Sequence, residues 1–170
     1  MAILKILTYP DKFLKKKAKP VAKIDNSIQK LIDDMAETMY DAPGSGLAAI
    51  QVGIDKRIIV YNGSPGEEEG ELKVLINPKI VDCSGEIISQ EEGCLSVPDY
   101  REDVKRALYV HVEGMDRDGK SVTIKTDEFL AIVLQHEIDH LEGILFIDRI
   151  SKLKRNLYKK KVIKNKNRQG

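Results

Sequence analysis

Apolar side chains recur along this chain with two different periods. Ile28, Leu31, Ile32, Met35 and Met39 fall on one stripe at helical spacing, and Asp25, Asn26 and Ser27 ahead of them offer N-caps. The spacing predicts a helix whose methionines belong to the core, ended by the Pro-Gly-Ser-Gly run at 43–46. Residues 57–61 read as a short strand, 62–70 as a loop, and 72–80 as a second strand broken by Pro78. Gly85 marks a turn, and Pro98 closes the segment that begins at Glu92. Over 107–113 the period becomes two. Leu108, Val110 and Val112 take one face, and Tyr109, His111 and Glu113 the other. A turn at 116–119 returns the chain as a second hairpin strand over 121–126. A helix follows, capped by Thr126 or Asp127 and closed by Gly143 at the C′ position. The first 23 residues read as an irregular, basic opening interrupted at Pro10 and Pro20.

These elements describe an α+β protein. Short, mostly antiparallel strands pack around one buried helix, with an N-terminal helix before them and a basic helix or tail after them. A length of 170 residues suits one domain. No apolar stretch approaches the ~18 residues that would cross a bilayer. The N-terminus lacks the long apolar core and small-residue cleavage site of a secretory signal. Cys83 and Cys94 are too few for a disulfide framework, so a reducing cytoplasm is the expected setting, and there a thiol is free to bind metal.

Charge alters this picture at one end only. The net charge is +1, but residues 151–170 carry nine basic side chains and no acid, leaving a body of net charge −8. Such a split suggests an anionic partner for the tail, or a solvated extension. Ile150, Leu153 and Leu157 supply the apolar edge of a tail helix. That edge is too thin for membrane binding. The chain therefore divides into a body, 1–150, and a basic extension of the same domain, 151–170.

The chemistry is concentrated in the second helix, at Gln135-His136-Glu137-Ile138-Asp139-His140. Residues four apart on a helix lie within roughly 40° of each other, so both imidazoles can grip one cation. Glu137 sits on the same side, within reach of a metal-held water, in the manner of the H-E-x-x-H pattern. Phe129, Ile132 and Val133 share the histidine face and put an apolar surface beside the metal. Such sites commonly take a third protein ligand. Phe146 stands where a third histidine would follow in metzincins, and Glu142 and Asp148 are poorly placed. His111 reads as an exposed strand histidine and Cys83 as a small buried residue. Cys94, in a Glu-Gly-Cys-Leu-Ser segment, is either the third ligand or another buried cysteine; spacing alone leaves both open.

Three segments, in order, carry a resemblance: Gly44-Ser45-Gly46-Leu47-Ala48-Ala49-Ile50-Gln51, Glu92-Gly93-Cys94-Leu95-Ser96 and Gln135 to His140. They resemble the signature motifs of the peptide deformylase family, and the resemblance extends over roughly residues 3–150. It implies metal ligation by Cys94, His136 and His140, with ferrous iron as the usual working cation and zinc, nickel or cobalt able to replace it. It implies that water on the metal attacks the formyl carbon of N-formylmethionyl nascent peptides, with Glu137 as general base and then acid. The Leu95 backbone N–H and the Gln51 amide would meet the developing oxyanion. Gly44 and Gly46 would let the backbone lie beside an extended peptide, although Gly44 serves equally well as a helix terminator. Phe129, Ile132 and Val133 would line the methionine pocket. The tail would meet ribosomal RNA, and the chain would act as a monomer. Glu92 with Arg101 or Arg106 is a candidate supporting ion pair, and Asp139 either orients a neighbour or faces solvent. Two other classes fit the helix motif by itself: a zinc metallopeptidase, and a non-catalytic ribosome-binding module with a structural metal.

Overall fold

The computed structural model describes residues 2–64 and 70–169. Residues 65–69, inside the expected 62–70 loop, lie outside the described residues, as do Met1 and Gly170. The elements run α1 (Asn26–Asp41), β1 (Gly46–Ala48), β2 (Ile58–Asn62), β3 (Leu72–Ser84), β4 (Ile87–Cys94), β5 (Val97–Arg106), β6 (Tyr109–Met115), β7 (Ser121–Asp127), α2 (Glu128–Leu141) and α3 (Lys152–Gln169). Short 3-10 turns occupy Lys12–Lys15, Ala49–Val52 and Phe146–Arg149.

An antiparallel five-stranded sheet has the order β1-β2-β3-β6-β7, and β4 with β5 forms a separate two-stranded ribbon. The expected α+β architecture is thus the observed one. Successive residues of β2 point to opposite faces, and both faces are covered. Ile58 and Val60 pack with Ile32, Met35 and Met39 of α1. Ile59 and Tyr61 pack with Leu134 and Ile138 of α2. The apolar stripe of α1 is therefore core, as its spacing predicts, and Asp25 caps it by accepting from the Ile28 N–H at 3.1 Å. The sheet holds α2 as a buried platform.

Five local expectations need correction. Pro78 does not break β3, because the strand bulges there: the β6 register shifts between Ile76 and Lys79. Asn77 takes φ 52° at that point, and its side-chain amide makes two hydrogen bonds to the Val21 backbone, at 2.8 and 3.0 Å. The bulge accommodates the residue that has no N–H to give the ladder. Pro98 likewise lies inside β5 instead of closing a segment. Cys83 is exposed, not buried, and His111 is half-buried, not exposed. Asp127 occupies the N-cap position of α2, but its side chain makes no capping bond. At the other end of α2, Gly143 at φ +75° ends the helix as expected. A Cβ there would fall 2.3 Å from the Lys15 carbonyl oxygen.

The tail is helical, but its buried edge is not the predicted one. Leu153 and Leu157 are exposed, whereas Tyr158 is buried and Val162 half-buried, with Ile150 packed alongside them. Tyr158 stacks on Tyr100 at 4.7 Å and meets Tyr9 at 5.7 Å between ring centroids. Aromatic partners from β5 and the N-terminal segment, both distant in sequence, thus select the packed face of α3.

Candidate metal centre and cleft

Three segments converge at one end of α2. The N-terminal stretch ties two of them together: the Leu7 N–H donates to the Gln51 carbonyl and the Tyr9 N–H to the Ser96 carbonyl, each at 2.7 Å. The Ala18 N–H fastens the end of α2 by donating to the Leu141 carbonyl at 2.8 Å. Cys94 ends β4, and His136 and His140 project from α2 on the same side, one turn apart.

Cys94 Sγ lies 3.3 Å from His140 Nε2, which lies 3.3 Å from His136 Nε2. All three donor atoms fall within 4.8 Å of one another. Two nitrogens each about 2.0–2.1 Å from a tetrahedral ion lie about 3.3–3.4 Å apart, so the spacing suits one cation. Glu92 Oε1 accepts from His136 Nδ1 at 2.7 Å, which leaves Nε2 with its lone pair facing the thiol and the second imidazole. The convergence of one sulfur and two imine nitrogens, with a carboxylate behind one ring, is a metal-binding donor set. His111 and Cys83, the other histidine and cysteine, are not part of this group.

The charges around this set are ordered. Burial by itself would raise the Glu92 carboxyl, but the hydrogen bonds from His136 and Arg106 outweigh it and bring its pKa down to about 2. Arg106, not Arg101, is its ion-pair partner: Nε donates at 3.2 Å and Nη2 also bonds the carboxylate. Among the described residues, Arg101 reaches the Glu91 carbonyl, at 3.4 Å, and not Glu92. Asp139 is buried and does not face solvent; it pairs with Arg106 Nη1 at 2.6 Å and with Arg149. Glu137 sits on the opposite side of the imidazoles, with Oε1 3.9 Å from His136 Nε2. Burial pushes Glu137 up to about 7, with Glu92 and Asp139 adding to the shift and His136 and Arg106 opposing it. Its Oε2 is buried with no hydrogen-bond partner among the described residues. A carboxyl poised near neutrality with a free oxygen is equipped both to take and to give a proton.

A cleft of about 750 Å³ opens over the donor set. Gly44, Gly46, Gln51 and Leu95 line it, together with Phe129, Ile132 and Val133 of α2. Cys94, His136 and Glu137 reach its wall. Gln51 is oriented by its own turn. Its Oε1 accepts from the Ala48 N–H at 2.9 Å, so Nε2 must face Ser96 Oγ, at 3.1 Å, and Cys94 Sγ, at 3.7 Å. Gly46 is required by packing, since a Cβ there would meet Glu137 Cγ at 2.9 Å, and Gly44 lies against Leu95 Cδ1. Phe129 is half-exposed at the mouth, while Val133 is buried. Of the residues singled out from the sequence, Gly44, Gly46, Gln51, Cys94, Leu95, Phe129, Ile132, Val133, His136 and Glu137 line this space, while His140 lies behind the lining, within reach of Cys94 and His136. Tyr100 and Arg101 of β5 line it as well; Tyr100 was unanticipated because the ribbon that carries it was not read from the sequence.

The family model for polypeptide deformylase matches residues 3–156. Among curated relatives, the peptide deformylase of Thermodesulfovibrio yellowstonii is 57% identical over 161 residues, covering 95% of this chain and 97% of its own. That of Desulfosudis oleivorans is 54% identical over 164 residues, covering 96% and 95%. The crystal structure of a peptide deformylase from Legionella pneumophila superposes with a TM-score of 0.89 at 48% identity, covering 99% of this chain and 98% of that one. The peptide deformylase of Ehrlichia chaffeensis in complex with actinonin gives 0.90 at 45% identity, covering 97% and 98%. Matched by the family model over residues 3–156 and by these relatives over nearly its whole length, this chain belongs to the polypeptide deformylase family.

Proposed function

We propose that this chain hydrolyses the formyl group from the N-terminal formylmethionine of newly made polypeptides and releases formate. The observation that carries the reading is the meeting of the Cys94, His136 and His140 donor atoms within 4.8 Å of one another, at a cleft whose lining includes Cys94, His136 and Glu137. The peptide deformylases to which the chain is similar supply the substrate class.

Cys94 Sγ and the Nε2 atoms of His136 and His140 would hold one divalent cation, which when bound polarises a carbonyl and acidifies water. Ferrous iron is the proposed native ion; one thiolate and two imidazoles also accept zinc, nickel and cobalt. Glu137 takes a proton from the attacking water and returns it to the leaving amine, a cycle for which a pKa of about 7 is suited. The Gln51 side-chain amide and the Leu95 backbone N–H donate to the formyl oxygen as charge develops there, and each such donor is worth about 100- to 1000-fold in rate. Phe129, Ile132 and Val133 receive the methionine side chain, and Gly44 and Gly46 border the path of the extended peptide. A formyl group carries only hydrogen on its carbonyl carbon, so a close-fitting floor admits it and crowds out acetyl.

The body of residues 1–150 carries the catalysis, and 151–170 extends the same domain as a basic helix. That helix offers its lysines to ribosomal RNA near emerging substrate, a contact that phosphates would dominate and salt would weaken. The reaction is placed in the cytoplasm, with the chain acting as a monomer. No described helix is long and apolar enough to cross a membrane.

The test is formate release from a formyl-Met peptide by anaerobically purified protein, with metal analysis of the same sample. The wild type releases formate, and Glu137→Gln keeps its metal but loses nearly all turnover. Wild-type turnover in that variant would refute the mechanism. Cleavage of casein without formate release would indicate a metallopeptidase instead.

A further inference from the structure

The charges behind the metal centre extend further than Glu92. Arg106 bonds Glu92 with Nε and Nη2, and its Nη1 turns the other way to Asp139 Oδ2, at 2.6 Å. Asp139 is then gripped from outside by Arg149, whose Nε reaches Oδ2 at 2.5 Å and whose Nη2 reaches Oδ1 at 2.7 Å. The inner three side chains are buried, Glu92, Arg106 and Asp139 being 6%, 2% and 11% exposed, whereas Arg149 at the outer end is 42% exposed. The three inner groups hold two negative charges and one positive. Arg149 supplies the fourth charge, which balances them.

We propose that Arg149 is a positioning residue for the metal centre. Its two-pronged hold on Asp139 keeps Arg106 committed to Glu92, and Glu92 in turn fixes the ring of His136. The argument is one of competition for a single buried cation. With Arg149 present, Asp139 has three hydrogen bonds from two guanidiniums. Without it, Asp139 keeps only Arg106, which must then serve two buried carboxylates. An under-paired buried carboxylate attracts strongly in a medium of low polarity. Arg106 is drawn toward Asp139 and away from Glu92. The carboxylate that orients His136 Nδ1, and hence aims Nε2 at the cation, is loosened.

Two further observations favour this assignment. The planar fork of an arginine is what spans both oxygens of Asp139, and a lysine would offer a point charge to one of them. Arg149 also closes the turn Phe146–Arg149 immediately before α3, so it ties the segment entering the C-terminal helix to a metal ligand through four side chains.

The inference rests on the ligand assignment of Cys94, His136 and His140. The test loads zinc into wild type, Arg149→Met and Arg149→Lys, and follows its release to an excess of chelator, alongside thermal melts of each metal-free protein. The expected result is zinc release about tenfold faster from Arg149→Met, the lower end for loss of an outer partner. Arg149→Lys should lie between Arg149→Met and wild type. In an Asp139→Asn background, Arg149→Met should add no further acceleration. If Arg149→Met lowers the melting midpoint yet releases zinc at the wild-type rate, Arg149 is only a structural brace and the proposal is overturned. A wild-type protein that retains no zinc overturns the ligand assignment itself, a result distinct from equal release by wild type and variant.

Discussion

Gly46 is pressed against Glu137: a Cβ on Gly46 would lie 2.9 Å from Glu137 Cγ and 3.0 Å from Oε1. The glycine that opens β1 and the acid on α2 come from segments some ninety residues apart in sequence, yet no methyl group fits between them. The position of the proposed general base is therefore set by an absent side chain.

Gly46→Ala should displace Glu137 without unfolding the protein. Among the close contacts of the added methyl, the side chain of Glu137 is the one that must give, and displacement of a reacting group by about 1 Å can cost about 100-fold in rate. The expected outcome is a fall of that order in kcat for formate release, with metal content unchanged. An alanine variant with wild-type kcat would show that the proton carrier tolerates displacement, or is not Glu137.

The pairs at Arg106 predict a stability effect that the sequence alone does not reveal. Arg106→Met leaves Glu92 and Asp139 buried with one compensating cation lost. Breaking a buried ion pair from one side typically costs about 3–5 kcal/mol. Denaturant unfolding of the metal-free variant should show a loss of that size. A loss below about 1 kcal/mol would mean that water reaches the two carboxylates and replaces the guanidinium.

Much of the site is legible in the primary structure, because short-range geometry makes it so. Two histidines four apart on a helix must share a face, and Glu137 between them must lie close by. The helix α1 and the β6–β7 hairpin are legible for the same reason, since each buries one periodic face. The ribbon of β4 and β5 is not. Of the ten residues Val97–Arg106, only Val97, Val104 and Arg106 are buried, so its charged alternation looks like loop. The partner of Glu92 was left open between two arginines for that reason, and the Asp139–Arg149 pair had no local signal at all. Long-range charge pairing leaves no period in a sequence.

The packed face of α3 offers a direct comparison between neighbours. Tyr158 is buried between Tyr9 and Tyr100, whereas Leu157 is 59% exposed. Truncating a buried aromatic side chain costs about 3 kcal/mol or more, and exposed positions change stability by about 0.5 kcal/mol or less. Tyr158→Ala should therefore lower the melting midpoint clearly and Leu157→Ala hardly at all. Equal effects would place the helix on the face that its leucines suggest.

Tyr61 gives the fold a predictable weakness in alkali. It is 3% exposed, under α2, and burial pushes its phenol from the ordinary 10 up to about 12. The folded state therefore holds this proton more tightly than the unfolded chain does. Stability from this group is fully present below pH 10 and is lost as pH rises from about 10 to about 12. A shift of this size corresponds to about 3 kcal/mol. Tyr158, also pushed up to about 12, adds a loss in the same range, so one substitution removes only part of the slope. Tyr61→Phe cannot ionise, and its unfolding free energy should fall less steeply than that of wild type between those two pH values. Parallel curves for the two proteins would mean that Tyr61 reaches solvent in the native state and ionises there at its ordinary pKa.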